Sequence, residues 1–219
     1  MAWRSGSVRG AGLALLCVFV VLLPLFSGPG PVNTRAGGDS PFLLVRLEQL
    51  VTGLRSGAFP VRWMPDAAYG LGYPFFHFYA ALPYYIAAIF RLLGWGPILS
   101  LQVTQALGLL LAAAAMALLG RRVFRQPAAV TLAVAAYTCA PFHLVNVYVR
   151  GDSLSEFYAF AFYPLIFWAL LRLHDAPSLP RVAALGLSFG GLGRRPEYLH
   201  QIIGPVPEKH RTCGGAAIG

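Results

Sequence analysis

The sequence predicts an all-α, polytopic membrane protein: a transmembrane helix bundle with an external juxtamembrane layer of amphipathic helices. Three observations predict it. The 219-residue chain is 57% hydrophobic and only 11% charged, with a mean hydropathy of +0.63, whereas about a quarter of the residues of a soluble domain are charged. Several apolar runs approach or reach the roughly 20 helical residues that a hydrocarbon core of about 30 Å requires. The arginines stand at the ends of those runs, where they act as topology signals. They form no stripe, so the net charge of +9 does not point to nucleic acid. Cys17 and Cys139 lie in apolar runs and Cys213 in the tail, a spacing that suggests neither a disulfide framework nor a zinc site.

Residues 11–28 form the first span. Arg4 and Arg9 precede it and no small-x-small processing site follows closely, so it reads as a retained span and not as a cleaved leader. The two arginines hold the N-terminus in the cytoplasm, and the chain emerges outside.

Residues 29–97 are an external loop carrying two interfacial helices. The first, 41–56, is capped by Ser40 and opened by Pro41, whose missing N–H is tolerated at the first helical position. At about 100° per residue, Leu43, Leu44, Leu47, Leu50, Val51 and Leu54 share an arc of about 120°, with Val45 alone breaking the pattern. Arg46, Glu48, Gln49, Thr52, Arg55 and Ser56 take the other side, and such a helix beside a span lies in the headgroup plane. The second, 75–93, is long enough to cross. If it did, the span after it would end outside, with Arg121, Arg122 and Arg125 on the wrong face. An interfacial or re-entrant helix restores the positive-inside rule, and its tyrosines, phenylalanines and Pro83 suit the headgroup belt.

Spans 98–119, 127–144 and 157–171 then alternate in direction, returning Arg172, His174 and Arg181 to the cytoplasm. Alanines at 112–115, 133, 135 and 136 are expected to let helices approach closely. A partial span, 182–192, contains Gly186 and Gly190 as a small-xxx-small pair, and stops at about half the length that a span needs. The polar tail 193–219 reads as out-of-frame or disordered, and the chain as a fragment.

Three pattern matches carry no chemistry. Gly151-Asp152-Ser153-Leu154 spells the GDSL hydrolase block without the preceding strand or a later Asp-x-x-His. The GLSFG run at 186–190 lies in an apolar helix and not on a strand–turn–helix elbow. Arg150-Gly151-Asp152 is a chance tripeptide. There is no phosphate-binding loop, H-E-x-x-H or C-x-x-C.

The ionisable groups expected on the outer face are Asp39, Arg46, Arg62, Asp66 and His77 from the first loop, with Arg150, Asp152 and Glu156 from the second. Acidic and basic groups converging at a membrane surface suit a substrate with an anionic phosphate head and a lipid tail. Arginine's planar fork binds phosphate, a carboxylate takes a proton from an acceptor hydroxyl, and a carboxylate with a histidine can hold a divalent metal. Asp39 is therefore the catalytic candidate, and Arg46, Arg150, Asp152 and Glu156 are the substrate contacts. Asp39 and His77 are the weak metal candidates. Each has a plainer reading. Asp39 favours a helix dipole, Glu156 caps the next span, Asp66 supports a turn, and His77 sits at an interface between Phe76 and Phe78. Arg150 pairs locally with Asp152 or Glu156.

The order of a first span, an aspartate beyond it, an amphipathic loop helix, an aromatic-proline segment and a span ending in Leu-Leu-Gly-Arg-Arg-Val-Phe resembles the GT-C superfamily of glycosyltransferases. The wording GDSPFLLVRLEQL, FPVRWMPDAAYGLGYPFFHFYAALPYYIA and APFHLVNVYVRGDSLSEF is similar to a group of bacterial multi-pass proteins labelled "6-pyruvoyl-tetrahydropterin synthase related". The zinc-binding histidine cluster of the soluble enzyme behind that label is absent. The resemblance covers residues 11–188. It implies the N-terminal part of a transferase that takes sugar from a polyprenyl-phosphate carrier at the extracytoplasmic face of the cytoplasmic membrane, with Asp39 by position as base or metal ligand. Such transferases often carry a charged residue directly before Pro-Pro-Leu. Here the stretch reads Tyr79-Ala80-Ala81-Leu82-Pro83, a departure that weighs against a metal-dependent mechanism. The alternative is a non-catalytic membrane scaffold or lipid-binding protein.

Overall fold

The computed structural model describes residues 2–28, 40–150 and 154–191. The described chain is all-helical and has no strands, only an isolated antiparallel bridge between Met64 and Tyr73. The helices are α1 (Ala2–Phe26), α2 (Ser40–Arg55), α3 (Phe75–Phe78), α4 (Leu82–Leu92), α5 (Pro97–Val123), α6 (Pro127–Thr138), α7 (Pro141–Leu144), a π-helix (Val145–Arg150), α8 (Leu154–Asp175) and α9 (Leu179–Gly191). Three stretches are long and apolar enough to cross a membrane: Pro97–Val123, Pro127–Tyr148 and Leu154–Asp175. They mark the chain as an integral membrane protein.

Helix α5 is the hub, with α1, α2, α4, α6 and α8 packed around it. Proline at the first helical position opens α5 after an extended Gly96, and a backbone bond from Phe124 to the Gly120 carbonyl (2.8 Å) closes it. Polar contacts fix the direction of each neighbour. Tyr158 donates its hydroxyl to the Thr104 carbonyl at 2.7 Å near the start of α5, and Arg122 pairs with Asp175 near its end, so α8 runs parallel to α5. Gly108 makes that crossing tight, since a Cβ there would fall 2.6 Å from Phe157 Cε1. Helix α6 returns antiparallel, with Val130 against Gly120. Helix α1 runs with α6: Gly10 lies beside Thr131, and Tyr148 donates its hydroxyl to the Val21 carbonyl. Buried Gln102 donates to the Leu25 carbonyl at 2.8 Å, satisfying one of the acceptors that a helix C-terminus leaves open.

The bundle thus has two ends. One holds the start of α1, the α5–α6 turn with Arg121, Arg122 and Arg125, and the end of α8. The other holds the end of α1, the start of α5, the π-helix and the start of α8, and the layer α2–α4 is joined to it. Ser155 donates to the Ala80 carbonyl at 2.8 Å, and Gly94 to Gly96 lead from α4 directly into α5. Helix α4 has 11 residues, about 16 Å, which is half the core thickness. The segment 75–93 is not one helix, because an extended Tyr79 stops α3 and Pro83 restarts the chain as α4.

Several details differ from the sequence reading. Gln49, assigned to the polar side of α2, is buried and accepts the Asp66 N–H at 3.3 Å. The expected span 127–144 runs on to Tyr148, and its helix is interrupted within it: Ala140 leaves the helical conformation before Pro141, and a short α-turn then widens into the π-helix. Of the alanines at 112–115, Ala112, Ala113 and Ala115 are buried, but Ala114 and Ala136 are exposed. Gly186 and Gly190 have open space where a Cβ would stand, and Gly191 instead abuts the Phe162 ring. The reason is register: α9 turns Gly191 onto α8, and leaves the proposed small-residue pair facing away from it.

Candidate functional site

The end of the bundle carrying α2–α4 holds the described members of the sequence-derived site, Arg46, His77 and Glu156. The apolar stripe of α2 buries Leu43, Leu47, Leu50 and Val51 and holds the helix down, while Val45, the residue outside the pattern, is 45% exposed. Arg46 is thereby aimed at an aromatic cluster. Its guanidinium lies 4.3 Å from the Phe75 ring centroid and 5.9 Å from that of Phe42, and Nη1 donates to the Tyr84 hydroxyl at 3.4 Å. Tyr84 is 1% exposed and meets Phe75 and Phe76 edge-on, each at 5.6 Å. Phe75 stacks on Tyr79 at 4.5 Å. One face of the guanidinium is committed to the Phe75 ring by cation–π attraction, and Nη1 to the Tyr84 hydroxyl.

Around this cluster Glu48 pairs with Arg91 at 2.7 Å, tying α2 to α4. The Val61 N–H donates to Tyr85 Oη at 2.9 Å and anchors the loop after α2. His77 is exposed with its ring edge-on to Phe78 at 5.3 Å, and Arg62 and Asp66 are exposed on the same loop. Glu156 lies exposed in the first turn of α8, one residue after the Ser155 that bonds Ala80. Arg46, His77 and Glu156 therefore belong to one end of the molecule. Asp39 and Asp152 lie outside the described residues, as does the side chain of Arg150, whose backbone ends the π-helix. Among the described residues no group of three or more His, Cys, Asp and Glu gathers at one point.

Sequence reasoning missed a second polar feature, inside the span Pro127–Tyr148. His143 is 1% exposed, Asn146 3% and Thr138 0%. His143 Nδ1 lies 2.7 Å from the Tyr137 carbonyl, and its ring meets those of Tyr137 and Phe160 edge-on, each at 4.9 Å. Thr138 Oγ1, His143 Nε2 and both amide atoms of Asn146 are buried without a hydrogen-bond partner among the described residues. Beside His143 is a cavity of about 10 Å³ bordered by Gln105 and Tyr148, the volume of a single water site. The signal was present as two polar residues three apart in an apolar run just after a proline. Polar groups at membrane depth are costly, and broken or π-bulged helices are where they are accommodated.

No protein-family model matches this chain, and no curated protein or solved structure matches it.

Proposed function

We propose that the chain forms the helical part of a GT-C-like glycosyltransferase that moves a sugar from a polyprenyl-phosphate carrier to an acceptor at the extracytoplasmic face of the cytoplasmic membrane. The observation that carries this reading is the Ser155–Ala80 bond, which joins the loop layer to the start of α8. It supports a common compartment for Arg46, His77 and Glu156, at the end opposite Arg121, Arg122 and Arg125. The arginine-rich end is cytoplasmic by the positive-inside rule, so the loop layer faces outward. Helix α4 supports the same arrangement, because it starts and finishes at one end of the bundle.

The chemistry is direct displacement at the sugar. Asp39 takes the acceptor's hydroxyl proton, the acceptor oxygen bonds to the anomeric carbon, and the carbon–phosphate-oxygen bond breaks. The carrier leaves as a polyprenyl phosphate anion, and the forks of Arg150 and Arg46 bind its charge. Glu156 and Asp152 orient the acceptor. A metal at Asp39 and His77 is not required for any of these steps. In membrane vesicles containing the chain and a labelled polyprenyl-phosphate sugar, Asp39→Asn lowers transfer by about 10² or more. Unchanged transfer at equal protein level removes the aspartate from the reaction.

A second reading is a non-catalytic lipid-binding scaffold. The commitment of Arg46 to Phe75 and of Glu48 to Arg91 favours it, because both interactions hold the layer together. On that reading Arg46→Ala loosens the layer and leaves no transfer activity to lose.

A further inference from the structure

At the arginine-rich end, α1 and α5 each pack on α6 but stand apart from one another. Between them lies a groove of about 620 Å³, the size of an ordinary ligand pocket. Its walls are Ala14 and Val18 of α1, Ala114 and Ala117 of α5, and Val130 and Val134 of α6. Small residues normally let membrane helices approach closely. Here α1 meets α6 at Gly10 and Thr131, which leaves the alanine faces of α1 and α5 apart. Along α5 the groove runs from Leu110 to Arg121, 11 steps or about 16 Å, the depth of one leaflet.

Its mouth is cationic. Arg121 and Arg125 both line it, and neither has a hydrogen bond or ion pair among the described residues. Their neighbour Arg122 is already paired with Asp175. An apolar slot one leaflet deep, with two guanidiniums at the headgroup end, is complementary to one class of molecule. We propose that this groove binds an anionic glycerophospholipid, one acyl chain between α1, α5 and α6 and the phosphate held by Arg121 and Arg125. The site lies at the far end from the α2–α4 layer and does not depend on the transferase reading. Its lipid acts as a wedge that sets the spacing of α1 against α5.

Native mass spectrometry tests this on the delipidated full chain offered equal phosphatidylglycerol and phosphatidylcholine. The expected result is one phosphatidylglycerol per chain, preferred about 25-fold, with Arg121→Gln and Arg125→Gln each removing about fivefold of the preference. Ala114→Phe, which fills the slot from an exposed position, abolishes binding of either lipid. The arginine variants change only exposed side chains, so they report even where the phenylalanine variant does not fold. Equal retention of the two lipids overturns the proposal. So does a preference that survives the double arginine variant, or a polyprenyl phosphate that displaces phosphatidylglycerol from the groove.

Discussion

At the scale of single residues, membrane-embedded backbone groups need partners from within the protein, and one exchange shows how they obtain them. Pro164 inside α8 has no N–H to give to the Phe160 carbonyl four residues earlier, and the Tyr137 hydroxyl supplies the missing donor at 2.6 Å. Tyr137→Phe should therefore cost about 0.6 kcal/mol, at most about 1.7. In a Pro164→Ala background, where the helix restores its own bond, it should cost almost nothing. A double-mutant cycle by thermal unfolding in detergent measures this, and strictly additive costs refute the exchange. Gly108→Ala drives a methyl into Phe157 and Tyr158, and should cost about 1–3 kcal/mol in the same assay. Gly186→Ala meets nothing within 4 Å and should stabilise α9 slightly. Composition cannot distinguish these two glycines. Both stand in apolar helices, and only the neighbour across the gap gives one of them a role.

At the scale of elements, the α2 stripe was legible because period and amphipathicity coincide there, but its partner was not: read as a face turned to the membrane surface, it packs against α4 and α5. Leu43, Leu47, Leu50 and Val51 are all buried, and the helix that opens at Ser40 follows from its proline. Gln49 was not legible as a buried residue, because its partner is a backbone N–H 17 positions away at Asp66. The break after Thr138 was hidden by continuous apolarity, which measures affinity for lipid and is indifferent to where a helix bends. Leu47→Ala or Leu50→Ala should cost about 2–5 kcal/mol and release the layer before the bundle. Hydrogen exchange should then rise across 56–74 while Pro97–Val123 stays protected. Uniform loosening of both regions would show that the layer and the bundle unfold as one unit. The Glu48–Arg91 pair is partly exposed and should be worth under about 1 kcal/mol, so Arg91→Ala is a mild change.

At the scale of the whole molecule, the alternation of basic clusters in the sequence anticipates the two-ended bundle, while α1, α5, α6 and α8 take their neighbours from contacts that no local pattern encodes. The proposed orientation gives a direct prediction. In a background without native cysteines, Leu93→Cys is 69% exposed at the layer end and should react with an impermeant maleimide added outside intact cells. Gln126→Cys, exposed in the α5–α6 turn, should react only after permeabilisation. Labelling of both from one side excludes the arrangement. The pairing of directions has an electrical consequence as well. Helices α5 and α8 point their positive poles toward the layer while α1 and the shorter α6 point theirs away, so the macrodipoles oppose one another along the bundle axis. Opposed poles lower the net helix dipole on which a transmembrane voltage could act.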